Sequence, residues 1–388
     1  MKVFGLGHQC HLGLMAAIAG IAVAIGRKGW GEAVLSELVL AINPGSTSTK
    51  VALYDGEKSC WEVTLEHPAQ ELVAFAGVVE QLPYRRRHLQ ELLRERAVPL
   101  GELRAVVGRG GLVRPVPGGT YLVGEKLLDD LRAGVQGEHA SNLGGLLAWE
   151  IAQPLGIPAY IVDPVAVDEF EEVARITGLP EIRRRSLFHA LNQKAVARRA
   201  AEDLGYKYEE INLIVAHLGG GITVGAHRRG RVVDVNHGIA EGPFSPERAG
   251  GLPTDDLIRL AFSGEYDEKS LIRRLTNQAG LYAHLGTKDA REIEARIAKG
   301  DEKARLVYAA MAYGVAKEIG AMSAVLAGEV KAIILTGGLA RSGLLSGWIQ
   351  ERVRFIAPVL SYPGEEEMRA LVEGALRVLR GEEEARRY

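Results

Sequence analysis

The run Leu38-Val39-Leu40-Ala41-Ile42-Asn43-Pro44-Gly45-Ser46-Thr47-Ser48-Thr49-Lys50-Val51-Ala52-Leu53-Tyr54 joins two apolar, strand-like segments through small residues. Gly45 to Thr49 carry no bulky side chain, so backbone N–H groups and hydroxyls can close on one anion. The run reads as a phosphate loop in a β-hairpin. Asp55-Gly56 turns the chain back, and Ser59 to Leu65 supplies a third strand.

The same order recurs downstream. Leu213 to His217 is a strand and Gly219-Gly220-Gly221 a turn; Ile222 to Ala226 is a strand, Arg229-Gly230 a turn, and Arg231 to Val235 a third strand. The two copies share the order of elements rather than residues, which predicts two structurally related halves. A third glycine turn, Thr336-Gly337-Gly338, follows the apolar run Ala332 to Leu335. Between them, Leu103 to Val107 enters Gly108-Arg109-Gly110-Gly111, and Ala159 to Val162 ends at Asp163-Pro164.

Composition narrows the class. The chain has 388 residues, above the size of one core, so two domains are expected. A net charge of -2 argues against a nucleic-acid binder reading phosphates by bulk charge. Two cysteines, Cys10 and Cys60, are too few for a disulfide framework and suit a reducing cytoplasm. Leu12 to Ile25 is apolar, but at about 14 residues it falls short of the roughly 20 of a membrane span. With Lys2 ahead and Ala22-Val23-Ala24 behind, it has the form of a signal-peptide core. A surface extension or a start assigned too far upstream are the other readings, and residues 1–36 stay outside the fold assignment.

Familiar nucleotide motifs fail: no G-x-x-x-x-G-K-[ST] occurs, and no G-x-G-x-x-G follows the first strand. Three glycine turns, each preceded by an apolar strand, form the more specific pattern. Helical spacing over 70–98 carries Arg85-Arg86-Arg87, read as a solvated face like Arg183-Arg184-Arg185. Residues 289–327 read as helix with Leu306, Ala310, Tyr313, Ala316 and Ile319 near one face.

The order Asn43–Lys50, Asp163, Gly219–Gly221, Gly337-Gly338 resembles the superfamily of acetate and sugar kinases, heat-shock chaperone ATPases and actin. Within it, Ile42 to Lys50 and His217-Leu218-Gly219-Gly220-Gly221 resemble the acetokinase family. Phe188-His189-Ala190-Leu191-Asn192, Gly242 to Arg248 and Leu335 to Ala340 look like its butyrate kinase branch. The likeness covers about residues 37–380. It implies an α/β protein of two actin-like (ribonuclease H-like) domains with ATP between them. Domain I would be residues 37–163 with about 364–388, and domain II residues 164–363.

The implied reaction is reversible transfer of the ATP γ-phosphoryl group to butyrate or a related short- or branched-chain acid. A carboxylate is already ionised at neutral pH, so no general base is required. That separates it from a sugar kinase, where an aspartate helps deprotonate a hydroxyl. Arg109 can pair with a carboxylate or phosphoryl group through its planar fork. Arg248 matches the loop arginine at the transferring group, with Arg114 a weaker neighbour, and His189 matches a histidine near that group. Asp163 is expected to orient Mg²⁺ or its waters, and Asn43, held out of helical geometry by Pro44, to reach phosphate or metal-bound water. Ser46, Thr47, Ser48, Thr49, Lys50, His217, Gly219, Gly220, Gly221, Gly337 and Gly338 are expected around ATP/ADP. Asp289, with Asn277 and Arg291, is expected on the adenosine side.

One departure stands out. Acetate kinases carry a metal-site glutamate shortly after the third turn, whereas here Leu339-Ala340-Arg341 follows. Acetate or propionate kinase is the nearest alternative, and a non-transferring chaperone- or actin-like ATPase switch the alternative of another class. The likeness further implies a cytoplasmic homodimer or larger homo-oligomer with a small carboxylate substrate and neither nucleic-acid nor membrane partner.

Overall fold

The computed structural model describes residues 36–388; Cys10 and the apolar run Leu12–Ile25 lie outside them. Among the described residues no helix is long and apolar enough to cross a membrane. Residues 37–388 gather into one compact unit containing two sheets.

The first sheet holds β1 (Leu38–Pro44), β2 (Ser48–Asp55), β3 (Lys58–Glu66), β4 (Leu103–Arg109), β5 (Thr120–Leu122), β6 (Ala159–Val162) and β12 (Arg386–Arg387). Its order is β12-β5-β6-β4-β1-β2-β3. The second holds β7 (Asn212–Leu218), β8 (Ile222–Arg228), β9 (Arg231–Val235), β10 (Ala332–Gly337) and β11 (Val359–Pro363), in the order β11-β10-β7-β8-β9. Each begins with an antiparallel meander, β1-β2-β3 or β7-β8-β9, and continues with two parallel strands on the other side of its first strand, β4-β6 or β10-β11; in the first sheet β5 then joins β6 antiparallel. The internal repeat expected from the order of elements is therefore present in the topology.

Burial on both faces explains why β1 and β7 read as unbroken apolar runs. Leu38, Leu40 and Ile42 enter one core with α1 (Leu82–Glu95) and α2 (Asn142–Ala152), while Val39 and Ala41 enter another. Two further helices connect the sheets. The helix after β6, α3 (Ala190–Asp203), packs Val196, Ala197 and Ala200 on Leu213 and Val215 of the second sheet. The helix after β11, α6 (Glu367–Leu379), packs Leu371 and Ala375 on Val39 and Ala41 of the first. Each helix thus packs on the sheet that it does not directly follow along the chain, and their N-termini meet where β1, β4 and β7 end.

Between them lie α4 (Glu302–Val325) and α5 (Gly343–Val353), on the other face of the second sheet. The expected inner face of α4 is only half right: Ala316 and Ile319 are buried as expected, but Leu306, Ala310 and Tyr313 are exposed. Ala304, Tyr308, Met311, Val315 and Met322 complete the buried face. Ala-rich helices carry apolar residues on every side, so periodicity fixes the helix but not its rotation.

Candidate active site

The opening loop is built around a residue that the sequence reading sent to solvent. Arg85, on α1, is 1% exposed. Its Nη1 donates to the carbonyls of Gly45 (2.8 Å) and Ser48 (2.9 Å) and to Thr49 Oγ1 (3.1 Å), and its Nη2 to the Ser46 carbonyl (2.9 Å). Drawing these oxygens inward leaves Ser46 and Thr47 exposed, with no acceptor for their N–H groups among the described residues. Lys50 is exposed as well. Thr49 differs from expectation: its hydroxyl is buried between Arg85 and His67 Nε2 (2.8 Å), so it braces the loop rather than facing a phosphate.

At the end of β1, Asn43 Nδ2 donates to Glu367 Oε2 (2.7 Å), and Arg109, ending β4, places Nη1 2.8 Å from the same oxygen. Arg109 Nη1 lies 3.4 Å from Asn43 Oδ1, while its buried Nε has no partner among the described residues. Glu367 is a carboxylate with no place among the sequence-derived site residues. It reaches the site from the first turn of α6, a separation of 324 residues from Asn43. Glu365 lies close by, and burial together with the Glu367 charge pushes its carboxyl up.

Asp163 is placed differently from the expected metal ligand. It is buried at φ +36°, its Oδ1 accepts the Gly119 N–H (2.7 Å), and its Oδ2 pairs with Arg198 (3.0 Å). Burial alone would raise its carboxyl; the charges of Arg198, Lys194 and Arg377 outweigh that and hold it below the ordinary range. Asp163 shares a narrow recess with Arg109, His189 and Glu367, yet both of its oxygens are engaged by the protein.

His189 caps α3 and His217 sits near the end of β7; their rings stack at 3.8 Å and 11°. Burial, with the charges of Arg109 and Arg248, lowers His217 to about 3. Burial also holds His189 well below the ordinary imidazole value, with His217, Arg248 and Arg109 adding to it. Both rings are therefore neutral at physiological pH. The Arg248 guanidinium packs against the second glycine turn. A Cβ at Gly221 would stand 2.3 Å from its Nη1, so a side chain there would push the guanidinium aside. Its Nη1 is held by the Gly238 carbonyl (2.6 Å), and Ser245 Oγ ties the loop to the Gly220 carbonyl (2.5 Å). In the third turn Gly337 exchanges two backbone bonds with Gly364, next to Glu365, and Gly338 is exposed.

The structure thus gathers Asn43, Arg109, His189, His217, Arg248 and the glycine turns. Others stand apart. Arg114 pairs with Asp130 (2.9 Å). Asp289 caps a surface helix and pairs with Arg291 (2.7 Å), and Asn277 is exposed. The Arg183–Arg185 run is not helical; Arg183 and Arg185 are exposed, whereas Arg184 braces the loop after β9 through Asp234 (2.9 Å) and Glu241 (3.0 Å).

Residues 179–350 match the model of the acetokinase family. The fold is similar to that of acetate kinase from Porphyromonas gingivalis (TM-score 0.72, 21% identity, covering 88% of this chain and 99% of that one). It is also similar to a propionate kinase from Francisella tularensis subsp. tularensis SCHU S4 (TM-score 0.69, 20% identity, 87% and 98%). Acetate kinase from Entamoeba histolytica aligns with TM-score 0.69 at 15% identity, covering 88% and 99%.

Proposed function

Taking the chain as a member of the acetokinase family, and so as an ATP-dependent carboxylate kinase, we propose that its acceptor is butyrate or a related short- or branched-chain acid. The acid carboxylate attacks the γ-phosphorus of ATP; one P–O bond forms to the acid and one breaks to ADP, with no proton to move. The observation that carries this reading is the state of Arg109 and Asp163. Arg109 spends Nη1 on Glu367 and keeps a buried, unpartnered Nε, an edge suited to a carboxylate. Asp163, the residue that would have to serve as base toward a hydroxyl, is ion-paired and held ionised at low proton affinity.

In this reading ATP phosphates lie between the Gly45–Ser48 and Gly219–Gly221 turns. Arg248 and the His189 ring stabilise charge on the transferring group as it moves. Residues 37–163 with 364–388, and residues 164–363, are the two lobes that close and exclude water. Mg²⁺ would be held beside Asn43 and Glu367: among the described residues Asn43 Oδ1 has only the long Arg109 contact, and Glu367 meets its protein partners through Oε2 alone. One carboxylate, one amide oxygen and waters make a usual Mg²⁺ set, and the ion would neutralise phosphate charge. Asp163, by contrast, acts as a brace.

The butyrate preference rests on the resemblance of the Phe188–Asn192 and Gly242–Arg248 segments. A methylene discriminates by only about 10–200-fold, so neighbouring acids should react too. Hydroxamate trapping across acids of two to six carbons tests it; a clear preference for acetate would refute the butyrate assignment.

A further inference from the structure

Behind His189 runs a chain of buried side chains remote from the reacting groups. Tyr208 Oη lies 2.7 Å from His227 Nδ1, and His227 Nε2 lies 3.0 Å from Gln193 Oε1. Gln193 Nε2 donates to the Thr223 carbonyl (3.0 Å) and to Thr223 Oγ1 (2.8 Å), which in turn lies 2.9 Å from His189 Nδ1. Gln193, Thr223 and His227 are each 0% exposed. The alignment is built into two elements. Gln193 lies on α3 four residues after its N-cap His189, while Thr223, Gly225 and His227 alternate along one face of β8. A Cβ at Gly225 would stand 2.6 Å from Gln193 Oε1, so glycine there lets the chain pass.

The direction of every proton follows from one fixed point. The Thr223 carbonyl only accepts, so the Gln193 end facing it is the NH₂ and the other end is the oxygen. That oxygen takes the proton of His227 Nε2, which leaves His227 Nδ1 to accept the Tyr208 hydroxyl. On the other side Thr223 Oγ1 already accepts from Gln193. Its own buried proton then has His189 Nδ1 as acceptor. A neutral His189 therefore carries its proton on Nε2. His217 is set the opposite way. Asn192 Nδ2 donates to the Glu365 carbonyl, so its Oδ1 takes the proton of His217 Nδ1 (2.7 Å), and Nε2 keeps a lone pair.

We propose that Tyr208, His227, Gln193 and Thr223 are positioning residues that fix His189 as its Nε2–H tautomer, so that the ring meets the transferring phosphoryl group only as a donor. The phosphoryl contact rests on the function proposed above; the fixed tautomer does not. Freed from the chain, neutral His189 would also populate the Nδ1–H form, whose Nε2 lone pair repels an anion. Burial and the charges of His217, Arg248 and Arg109 keep the ring neutral, and burial with Lys194 and Arg198 does the same for His227.

Long-range ¹H–¹⁵N NMR of the full chain labelled with [¹⁵N]histidine reads the tautomer directly, with a His189→Gln spectrum for assignment. The unsubstituted protein should show His189 protonated on Nε2 at neutral pH. Thr223→Val removes the donor at nearly constant shape; it should mix the tautomers and lower kcat by about tenfold with KM for ATP within about twofold. Thr223→Ser keeps the hydroxyl and should restore both the tautomer and kcat. An Nδ1–H or doubly protonated His189 in the unsubstituted protein overturns the proposal. So does Thr223→Val with the Nε2–H signal intact, or equal loss of kcat in both variants. If the tautomers behave as expected but no acid yields acyl phosphate, the phosphoryl role falls and the fixed tautomer stands.

Discussion

Replacing Arg85 tests how the opening loop is held. Each bond of its guanidinium goes to a neutral oxygen, so the residue acts as a plug that ties the carbonyls of Gly45, Ser46 and Ser48 to α1. Arg85→Met keeps most of the apolar stem and removes all donors. Three carbonyls lose a donor, though the Ser48 carbonyl keeps the Gly45 N–H; at about 1 kcal/mol for each unpartnered group and less for Ser48, the variant should lose about 2–3 kcal/mol of stability. The desolvation that lowers the Arg85 guanidinium pKa is relieved at the same time, which keeps the loss from growing larger. Arg85→Lys offers three donors without the planar fork and should lose about 1–2 kcal/mol. Because the same bonds set which way the Ser46 and Thr47 N–H groups point, KM for ATP should rise by about tenfold or more in Arg85→Met. Urea unfolding gives the stability and initial rates give the KM. Both variants within about 0.5 kcal/mol of the parent, with unchanged KM for ATP, would refute the reasoning.

Three further outcomes are expected. Arg248→Ala should lower turnover by about a thousandfold while ATP affinity, measured by calorimetry, changes only a few-fold. Gly221→Ala should fold and unfold like the parent yet lose about 10–100-fold in kcat, because the new methyl displaces Arg248; circular dichroism and rate measurements separate the two effects. Acid should destabilise the fold from the neutral side. Burial lowers His67 to about 4 and His217 to about 3, so between pH 6 and pH 4.5 the unfolded chain binds protons that the folded chain refuses. Stability should fall by about 1.4 kcal/mol per pH unit for each of the two, and His67→Gln should remove one proton's share of that slope in unfolding measured against pH.

What was legible in the sequence followed local rules. Strands buried on both faces read as apolar runs, and glycine turns after them marked where ligands can approach. The misreadings of Arg85, Thr49 and Asp163 involve partners far apart along the chain. Arg85 sits in a run of three arginines that looks like a solvated face; only the loop folded over α1 makes one of them internal. Thr49 lies in a row of identical-looking hydroxyls, and its inward direction is set by its place in β2 opposite Leu65. Glu367 carried no local signal: it reaches Asn43 and Arg109 from α6, because that helix crosses back to the first sheet. Asp163 ends a strand as expected, but Arg198 on α3 claims it.

The central claim is transfer from ATP to a carboxylate without a base. Following ³¹P NMR of the full chain with ATP, Mg²⁺ and butyrate tests it most directly. Acyl phosphate and ADP should appear in equal amounts and only when the acid is present. Steady release of inorganic phosphate without any acid, or phosphorylation of a hydroxyl compound in its place, would contradict it.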